Sequence, residues 1–162
     1  MDLTLTVRPA HPGDLGALDA LLARAYPRLL ARDYPPSVMV TALPLISRAN
    51  PELLYCGTYF VAEDAEGVIV GAGGWTRKRY RHSGDVRHVV TSERHTRRGI
   101  GRAILERTIA TARDAGLAQL DCAATRTAAP FYRALGFTGD REYLLELRPG
   151  ITFPAIEMRR PL

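Results

Sequence analysis

Apolar and polar residues alternate along this chain with two different periods, which predict strands and helices. LTLTV at 3–7 alternates at every second residue and predicts a strand. After His11-Pro12-Gly13-Asp14, which is typical of a helix start, spacings of three and four residues predict a helix that ends at Pro27, with an apolar stripe of Leu15, Leu18, Leu22 and Ala25. A weaker helix is predicted within the proline-punctuated stretch, at 37–48.

The rest of the chain continues to switch between these periods. It predicts strands at 57–63, 67–76 and 84–91, a helix at 99–115, a strand at 117–124, a helix at 127–135, and a closing hairpin of REYLLEL and ITFPAIEM. The glycines of GAGGW at 71–75 indicate a bulge or bend. The order β-α-α-β-β-β-α-β-α-β-β predicts a mixed α/β sandwich whose middle strands are antiparallel, in one domain over 1–162.

Composition narrows the class of protein only a little. The 162 residues are 46% hydrophobic, and Cys56 and Cys122 form no C-x-x-C pair, so we expect a reduced, cytoplasmic protein without a metal site. No stretch is apolar enough to predict a membrane span, and the first residues do not resemble a secretory signal. The net charge of +5 invites a nucleic-acid partner, but the basic clusters RKRYRH and RHTRR are short and carry no nucleic-acid-binding motif. A solvated face, or a site for one small polyanion, explains them equally well.

The stretch HTRRGIGRAI at 95–104 places two glycines and several arginines where a helix begins. Each glycine costs a helix about 1 kcal/mol relative to alanine. A helix N-terminus offers unpaired N–H groups to an anion, and glycine lets the backbone approach it closely. The spacing matches neither the P-loop nor the dinucleotide fingerprint. Phosphate binding and a flexible turn with solvated arginines therefore remain alternatives.

R-R-G-I-G-R opens a helix after a strand, and F-Y-R-A-L-G-F follows at 131–137. Together these motifs resemble the GNAT superfamily of acyl-CoA-dependent N-acyltransferases. The family signature Q/R-x-x-G-x-G/A reads T-R-R-G-I-G here, with Thr96 at the first position and Arg97 or Arg98 available to compensate. The resemblance implies a mostly antiparallel sheet of about seven strands flanked by about four helices, splayed between strands 84–91 and 117–124.

The resemblance also implies how acetyl-CoA, the expected co-substrate, is bound. Its pantetheine arm would pair with the backbone of the strand before the turn, and its pyrophosphate would lie on the turn and the helix start. The implied binding residues are Val89, Val90, Thr91, Arg97, Arg98, Gly99, Ile100, Gly101 and Arg102.

Acyl transfer to an amine needs a base and an acid for the departing thiolate. Tyr132 matches the family's general-acid tyrosine, whereas Phe131 and Phe137 are assigned to the core. Asp85, acting through a water, and His88 are alternative bases; strict alternation would place them on opposite faces of their strand. An aspartate at a hairpin end is more often a turn former than a base, and a strand histidine is more often a packed residue, so these structural interpretations are favoured for both. Cys122 is interpreted as a small buried filler.

The expected acceptor is a primary amine of a small molecule, with a peptide or protein amine as a variant. Aromatic candidates for lining its pocket, or for ordinary packing, are Tyr26, Tyr34, Tyr59, Trp75 and Tyr80. No nucleic-acid or membrane partner is expected, and a homodimer is left open. The alternative function is a non-catalytic acyl-CoA-binding sensor module that uses the same turn.

Overall fold

A single sheet of seven strands organises the molecule. A computed structural model describes residues 4–79 and 82–162. The strands are β1 (Thr6–Pro9), β2 (Tyr59–Glu63), β3 (Ile69–Arg77), β4 (Ser83–Thr91), β5 (Gln119–Ala124), β6 (Thr138–Arg148) and β7 (Ile151–Pro161). The helices are α1 (Leu15–Leu30), α2 (Pro36–Thr41), α3 (Leu43–Ile46), α4 (Ile100–Asp114) and α5 (Ala129–Ala134). Short 3₁₀ turns occur at Pro12–Asp14, Pro51–Leu54 and Glu93–His95.

The strand order β1-β2-β3-β4-β5-β7-β6 is antiparallel at every junction except β4–β5, which is parallel. This confirms the predicted mixed, mostly antiparallel sheet flanked by helices. Helices α1, α2 and α3 pack on one face, and α4 and α5 on the other, so that the sheet separates two hydrophobic clusters. In the described part of the chain, no helix is both long and apolar enough for a membrane span.

Several helix boundaries differ from the sequence prediction. Helix α1 does not stop at Pro27 but continues to Leu30. Proline removes only one backbone donor near the helix end, and burial of the Leu30 side chain holds the last turn against the core. The helix predicted at 37–48 is two short helices, α2 and α3. Strand β1 begins at Thr6, and Leu3 of the predicted strand lies outside the described residues.

Helix α4 packs very closely on β3 because that strand contributes glycines to its face. A Cβ added to Gly71 would lie 2.5 Å from Ile100 Cγ2, and one added to Gly73 would lie 2.8 Å from Ile104 Cγ2. The glycines of GAGGW therefore make room for a helix, and the irregularity that the sequence predicted there belongs to the neighbouring strand β4. This packing fixes α4, and with it the turn that precedes it.

Candidate active site

The central feature of the site is an opening between the two parallel strands. Strands β4 and β5 pair only where Ser83–Asp85 lies beside Gln119–Asp121. Beyond these residues the strands diverge, β4 running on to Thr91 and β5 to Ala124. The predicted splay is therefore present. A cleft of about 1620 Å³ extends from it and is lined by both strands, the turn before α4, and helix α5.

A β-bulge reshapes the open part of β4. Ala72 lies opposite Val90 and Gly74 opposite Arg87, so three steps along β4 match two along β3. The extra residue produces a kink at His88, whose φ of +45° is left-handed. Alternation fails here: His88 contacts α1 and α3, whereas Val86 packs in the α4 cluster. Strict alternation, which places His88 opposite Asp85 and therefore beside Val86, is wrong at His88, because the bulge inverts the pattern.

Two buried tyrosines bind the carbonyl groups of the bulge. Tyr59 Oη donates to His88 O at 2.7 Å, and Tyr26 Oη donates to Val89 O at 2.9 Å. Burial raises the pKa of both phenols, so they remain hydrogen-bond donors throughout the physiological range. Both tyrosines were candidates for lining the acceptor pocket or for ordinary packing. Tyr26 lines the cleft, whereas Tyr59 lies in the core beside it.

The backbone of β4 after the bulge presents its polar groups alternately to β3 and to the cleft. Ser92 N–H donates to Val70 O at 2.8 Å, which places Val90 in the next hydrogen-bonded pair of the ladder, with Ala72. Thr91 is in the intervening position, so its N–H and C=O face away from β3. Of the three predicted backbone partners of a ligand, Thr91 and Val89 therefore border the cleft, whereas the backbone of Val90 is used within the sheet.

The turn before α4 has an unusual backbone. Arg97 and Gly99 both adopt left-handed conformations, with φ of +61° and +80°, and Gly99 caps α4 without any side-chain hydrogen bond. The first amides of the helix are thus left to an external anion. Nothing lies within 4 Å of a Cβ added to Gly99. Only the backbone of Ile100 is available to a ligand at this turn, because its side chain is buried against β3.

Arginines surround this turn, and an aromatic ring forms its far wall. Arg97, Arg98 and Arg102 are exposed; Arg102 Nη1 lies 3.6 Å from Glu106 Oε1. A Cβ added to Gly101 would lie 3.0 Å from Phe131 Cζ. Phe131 is half-buried and lines the cleft, so its assignment to the core is wrong in part, whereas Phe137 is fully buried as predicted.

Tyr132 and Cys122 meet inside the cleft. Both line it, although each side chain is largely buried, and each is close enough to influence the protonation of the other. Burial raises the pKa of Tyr132 well above its ordinary value and that of the Cys122 thiol to about 12. Both groups hold their protons at neutral pH. The burial of Cys122 in the α4 cluster agrees with its interpretation as a small buried filler.

The two candidate bases lie in different surroundings. His88 lines the cleft, and its Nε2 lies 2.8 Å from Ile46 O, a partner that can only accept a hydrogen bond. This contact assigns the proton to Nε2 and leaves Nδ1 with the lone pair, while burial lowers the pKa of the ring. Asp85 instead lies 3.4 Å from Lys78 Nζ and borders a second, separate pocket.

The other aromatic candidates serve the core. Trp75 Nε1 donates to Thr111 Oγ1 at 2.9 Å on the α4 face, away from α1 and α3. Tyr34 donates to Pro154 O and accepts from Arg126 N–H, which ties the α1–α2 connection to β7 and α5. Tyr80 lies outside the described residues. In the described parts of the chain, no cluster of three His, Cys, Asp or Glu side chains that could hold a metal ion occurs.

Glu93 is a residue that the sequence analysis missed. Its Oε1 accepts from Arg24 Nε at 2.8 Å and Arg28 Nη1 at 3.2 Å, so it joins α1 to the 3₁₀ turn that precedes Thr96. Burial raises the pKa of Glu93, but its backbone hydrogen bond and the two arginines outweigh this and lower it overall. The partners are separated by about 65 residues in sequence, and no local pattern indicates the contact.

Comparison with known proteins places this geometry in a family. The acetyltransferase (GNAT) domain family matches residues 56–139, just over half of the chain, which includes β4, the turn, α4 and all of α5. A search of curated proteins finds no significant match. Many solved structures share the fold.

Three of these structures illustrate the likeness. A GCN5-related N-acetyltransferase from Rhodopseudomonas palustris has 18% identity, a TM-score of 0.80, and coverage of 100% of this chain and 99% of that one. PaiA N-acetyltransferase from Thermoplasma acidophilum, in complex with coenzyme A, has 15% identity, a TM-score of 0.72 and coverage of 98% and 99%. A GNAT-family acetyltransferase from Streptococcus pneumoniae has 25% identity, a TM-score of 0.68 and coverage of 98% and 100%. With the splayed strands, the glycine turn and the family match together, the chain belongs to the GNAT acetyltransferase family.

Proposed function

We propose that this protein transfers an acetyl group from acetyl-CoA to a primary amine of a small molecule, or of a peptide or protein, by direct attack in a ternary complex. The observation that carries the proposal is the continuity of the cleft. It runs from the uncapped start of α4, along the open edge of β4, to the hydroxyl of Tyr132. A phosphate site, a slot for an extended arm and a proton donor would thus be aligned in one channel.

Coenzyme binding would use both ends of the open region. The pyrophosphate would accept hydrogen bonds from the backbone of Gly99, Ile100 and Gly101, with Arg97, Arg98 and Arg102 supplying charge. The pantetheine arm would bind the cleft-facing backbone of Thr91. Val89 would contribute its N–H, because its carbonyl already accepts from Tyr26. PaiA N-acetyltransferase was crystallised with coenzyme A on the same fold, which supports this placement.

The proposed chemistry would use two side chains in different protonation states, a neutral histidine as the base and a protonated tyrosine as the acid. Nucleophilic attack needs the free amine, and His88 Nδ1 is the base that the cleft offers, directly or through a water. Asp85 is less suited because it is ion-paired with Lys78 outside this cleft. The breaking C–S bond leaves a thiolate, and the phenol of Tyr132 would donate its proton there. Burial raises the pKa of that phenol, so it is protonated at neutral pH.

A pair of matched glycine variants tests the coenzyme site. Gly99 and Gly116 both have φ near +80° and nothing within 4 Å of an added Cβ, but they lie at opposite ends of α4. Alanine at either position should cost about 1–2 kcal/mol of folding stability. Only Gly99→Ala should also weaken acetyl-CoA binding, measured by titration calorimetry, because its Cβ would occupy the space of the pyrophosphate. Equal affinities in the two variants would rule out this turn.

Turnover is tested separately from binding. Acetyl-CoA and a panel of amines should release free coenzyme A in the unmodified protein and not in Gly99→Ala at the same concentration. Gly99-dependent binding without release for any amine would instead identify a non-catalytic acyl-CoA sensor, and the enzymatic proposal would be wrong.

A further inference from the structure

The part of the cleft away from the coenzyme turn is strongly positive. Six arginines line the whole cleft in the described residues, against a single carboxylate. That carboxylate, Asp33, can offset only one of these charges, and its Oδ2 accepts from Thr127 Oγ1 at 2.6 Å. The cleft therefore holds a surplus of positive charge that the protein itself does not neutralise.

Coenzyme A can account for only part of this surplus. Its phosphates would meet Arg97 and Arg102 at the start of α4. Arg28 is ion-paired with Glu93. Three arginines remain, Arg32, Arg48 and Arg87, and in the part of the chain described none of them has a carboxylate partner.

Arg87 carries the argument furthest. It is half-buried, and its Nη1 donates to Thr76 Oγ1 at 3.0 Å, a neutral partner. A cation withdrawn from water without a counter-ion is unfavourable, and an anionic ligand would relieve this cost. Arg87 also precedes the bulge on the sheet face opposite α4, because it pairs with Gly74, whereas Gly73 faces α4. The phosphates on the α4 turn are thus not its natural partners.

Arg48 is brought to the same place by the contact between His88 and α3. His88 Nε2 lies 2.8 Å from Ile46 O, and Arg87 and Arg48 lie within two residues of that contact on either side. Arg32 lies at the opposite rim, in the connection that Tyr34 holds to β7. The lining of this part of the cleft therefore includes three arginines without a carboxylate partner among the described residues, of which Arg87 is half-buried and Arg32 and Arg48 are exposed.

We propose that the acceptor is a small amine that also carries a carboxylate, which Arg87 and Arg48 bind with Arg32 at the rim. Guanidinium and carboxylate groups match in charge and in planar hydrogen-bonding geometry, so these residues would orient the amine toward the thioester. The same charges disfavour polyamines and amines on basic peptides. This inference rests on the proposed function and specifies its substrate class.

Matched amine pairs test the inference in the unmodified protein saturated with acetyl-CoA. The release of free coenzyme A is compared between γ-aminobutyrate and its amide, and between L-phenylalanine and phenylethylamine. Spermidine is included as a polycationic amine without a carboxylate. Each carboxylate member should have the higher kcat/KM by about tenfold or more, the size of a charge-assisted hydrogen bond. Because a carboxylate favours the protonated form of a nearby amine more than an amide does, the preference for γ-aminobutyrate over its amide would oppose intrinsic reactivity. An amidated peptide with acidic side chains is tested in the same way. Efficient acetylation of its terminal amine would identify an acidic chain terminus, rather than a small molecule, as the acceptor.

Arginine variants link the preference to the residues. Arg87→Gln and Arg48→Gln should each raise KM for the carboxylate amine about tenfold, while KM for its amide and for acetyl-CoA changes little. Arg113→Gln, an equal loss of charge on the exposed face of α4, is the control, and thermal melting verifies folding. Equal use of both members of a pair, a preference for spermidine, or equal effects of the variants on both members would overturn the inference while leaving acetyl transfer intact. Absence of coenzyme A release with every amine would overturn both.

Discussion

The two ends of the β4–β5 junction are built from similar strands but serve different purposes. At the closed end, three residues of each strand pair, and Lys78 bridges Asp85 and Asp121, with distances of 3.4 and 2.6 Å to their oxygens. At the open end, the strands share no hydrogen bonds, and tyrosine hydroxyls bind the carbonyls of β4 instead. One junction therefore combines a fixed point with an opening, and the closed end sets the direction in which the strands diverge.

Removing the Tyr132 hydroxyl should have the largest effect of the changes considered, and this effect should be on the chemistry at the open end. General acid catalysis contributes about 10²–10⁴-fold, so Tyr132→Phe should lower kcat within that range while acetyl-CoA affinity changes little. Tyr143→Phe is the control, because that tyrosine borders the pocket of the closed end. Steady-state kinetics on a verified acceptor decide the matter. If kcat stays within about threefold of the parent, Tyr132 is a packing residue only.

Overpacking the closed end should affect stability rather than chemistry. A Cβ at Gly84 would lie 2.8 Å from Leu117 Cδ1 and 3.0 Å from Thr76 O. Gly84→Ala should therefore cost about 1–3 kcal/mol in the free energy of unfolding, measured with urea. Gly16→Ala, with no atom within 4 Å in α1, should be neutral or stabilising. Undiminished stability of Gly84→Ala would show that the strands can separate at the closed end without penalty.

The pH dependence of kcat should locate the base. Burial lowers the pKa of His88, so its neutral form persists below pH 6.5 and is lost only at more acidic pH. We expect an acid limb of kcat below pH 6.5 that disappears in His88→Gln. The same shift makes His88 destabilising at acidic pH, since below pH 6.5 the unfolded chain binds a proton that the folded chain resists. An unchanged limb in His88→Gln, and its loss in Asp85→Asn, would transfer the role to Asp85.

The ion pairs of the closed end should contribute least. Lys78 is 39% exposed in its side chain, and exposed pairs are typically worth about 0–1 kcal/mol. Lys78→Met should therefore lower stability by no more than about 1 kcal/mol at low salt, and by less at high salt. A larger loss would mean that charge, rather than strand pairing, holds this end closed.

Local patterns predicted the fold and the turn well, because both depend on residues that are close in sequence. The helix predicted at 99–115 and its glycine start were recognisable, and α4 does span Ile100–Asp114 with Gly99 before it. The continuation of α1 past Pro27 was not, since it depends on burial of Leu30 by distant strands.

The details of the site depended on registers that no local pattern records. The bulge at His88 exists because β4 gains a residue relative to β3, and this reverses the face that alternation assigned to the histidine. The ion pair of Asp85 depends on Lys78, which follows β3 and is also held by Asp121 of β5. Residue types were thus predictable from sequence, whereas their partners were set by pairing between strands.

The open part of β4 is, in effect, a sheet edge inside the molecule. Edges with free N–H and C=O groups are templates onto which another extended chain can add, and this is a route to aggregation. Here the kink at His88 interrupts the straight run, and two carbonyls already accept hydrogen bonds from Tyr26 and Tyr59. A foreign β-strand therefore meets a kinked edge on which the carbonyls of His88 and Val89 are no longer free. The same bulge that shapes the cleft also protects the protein from strand addition at this edge.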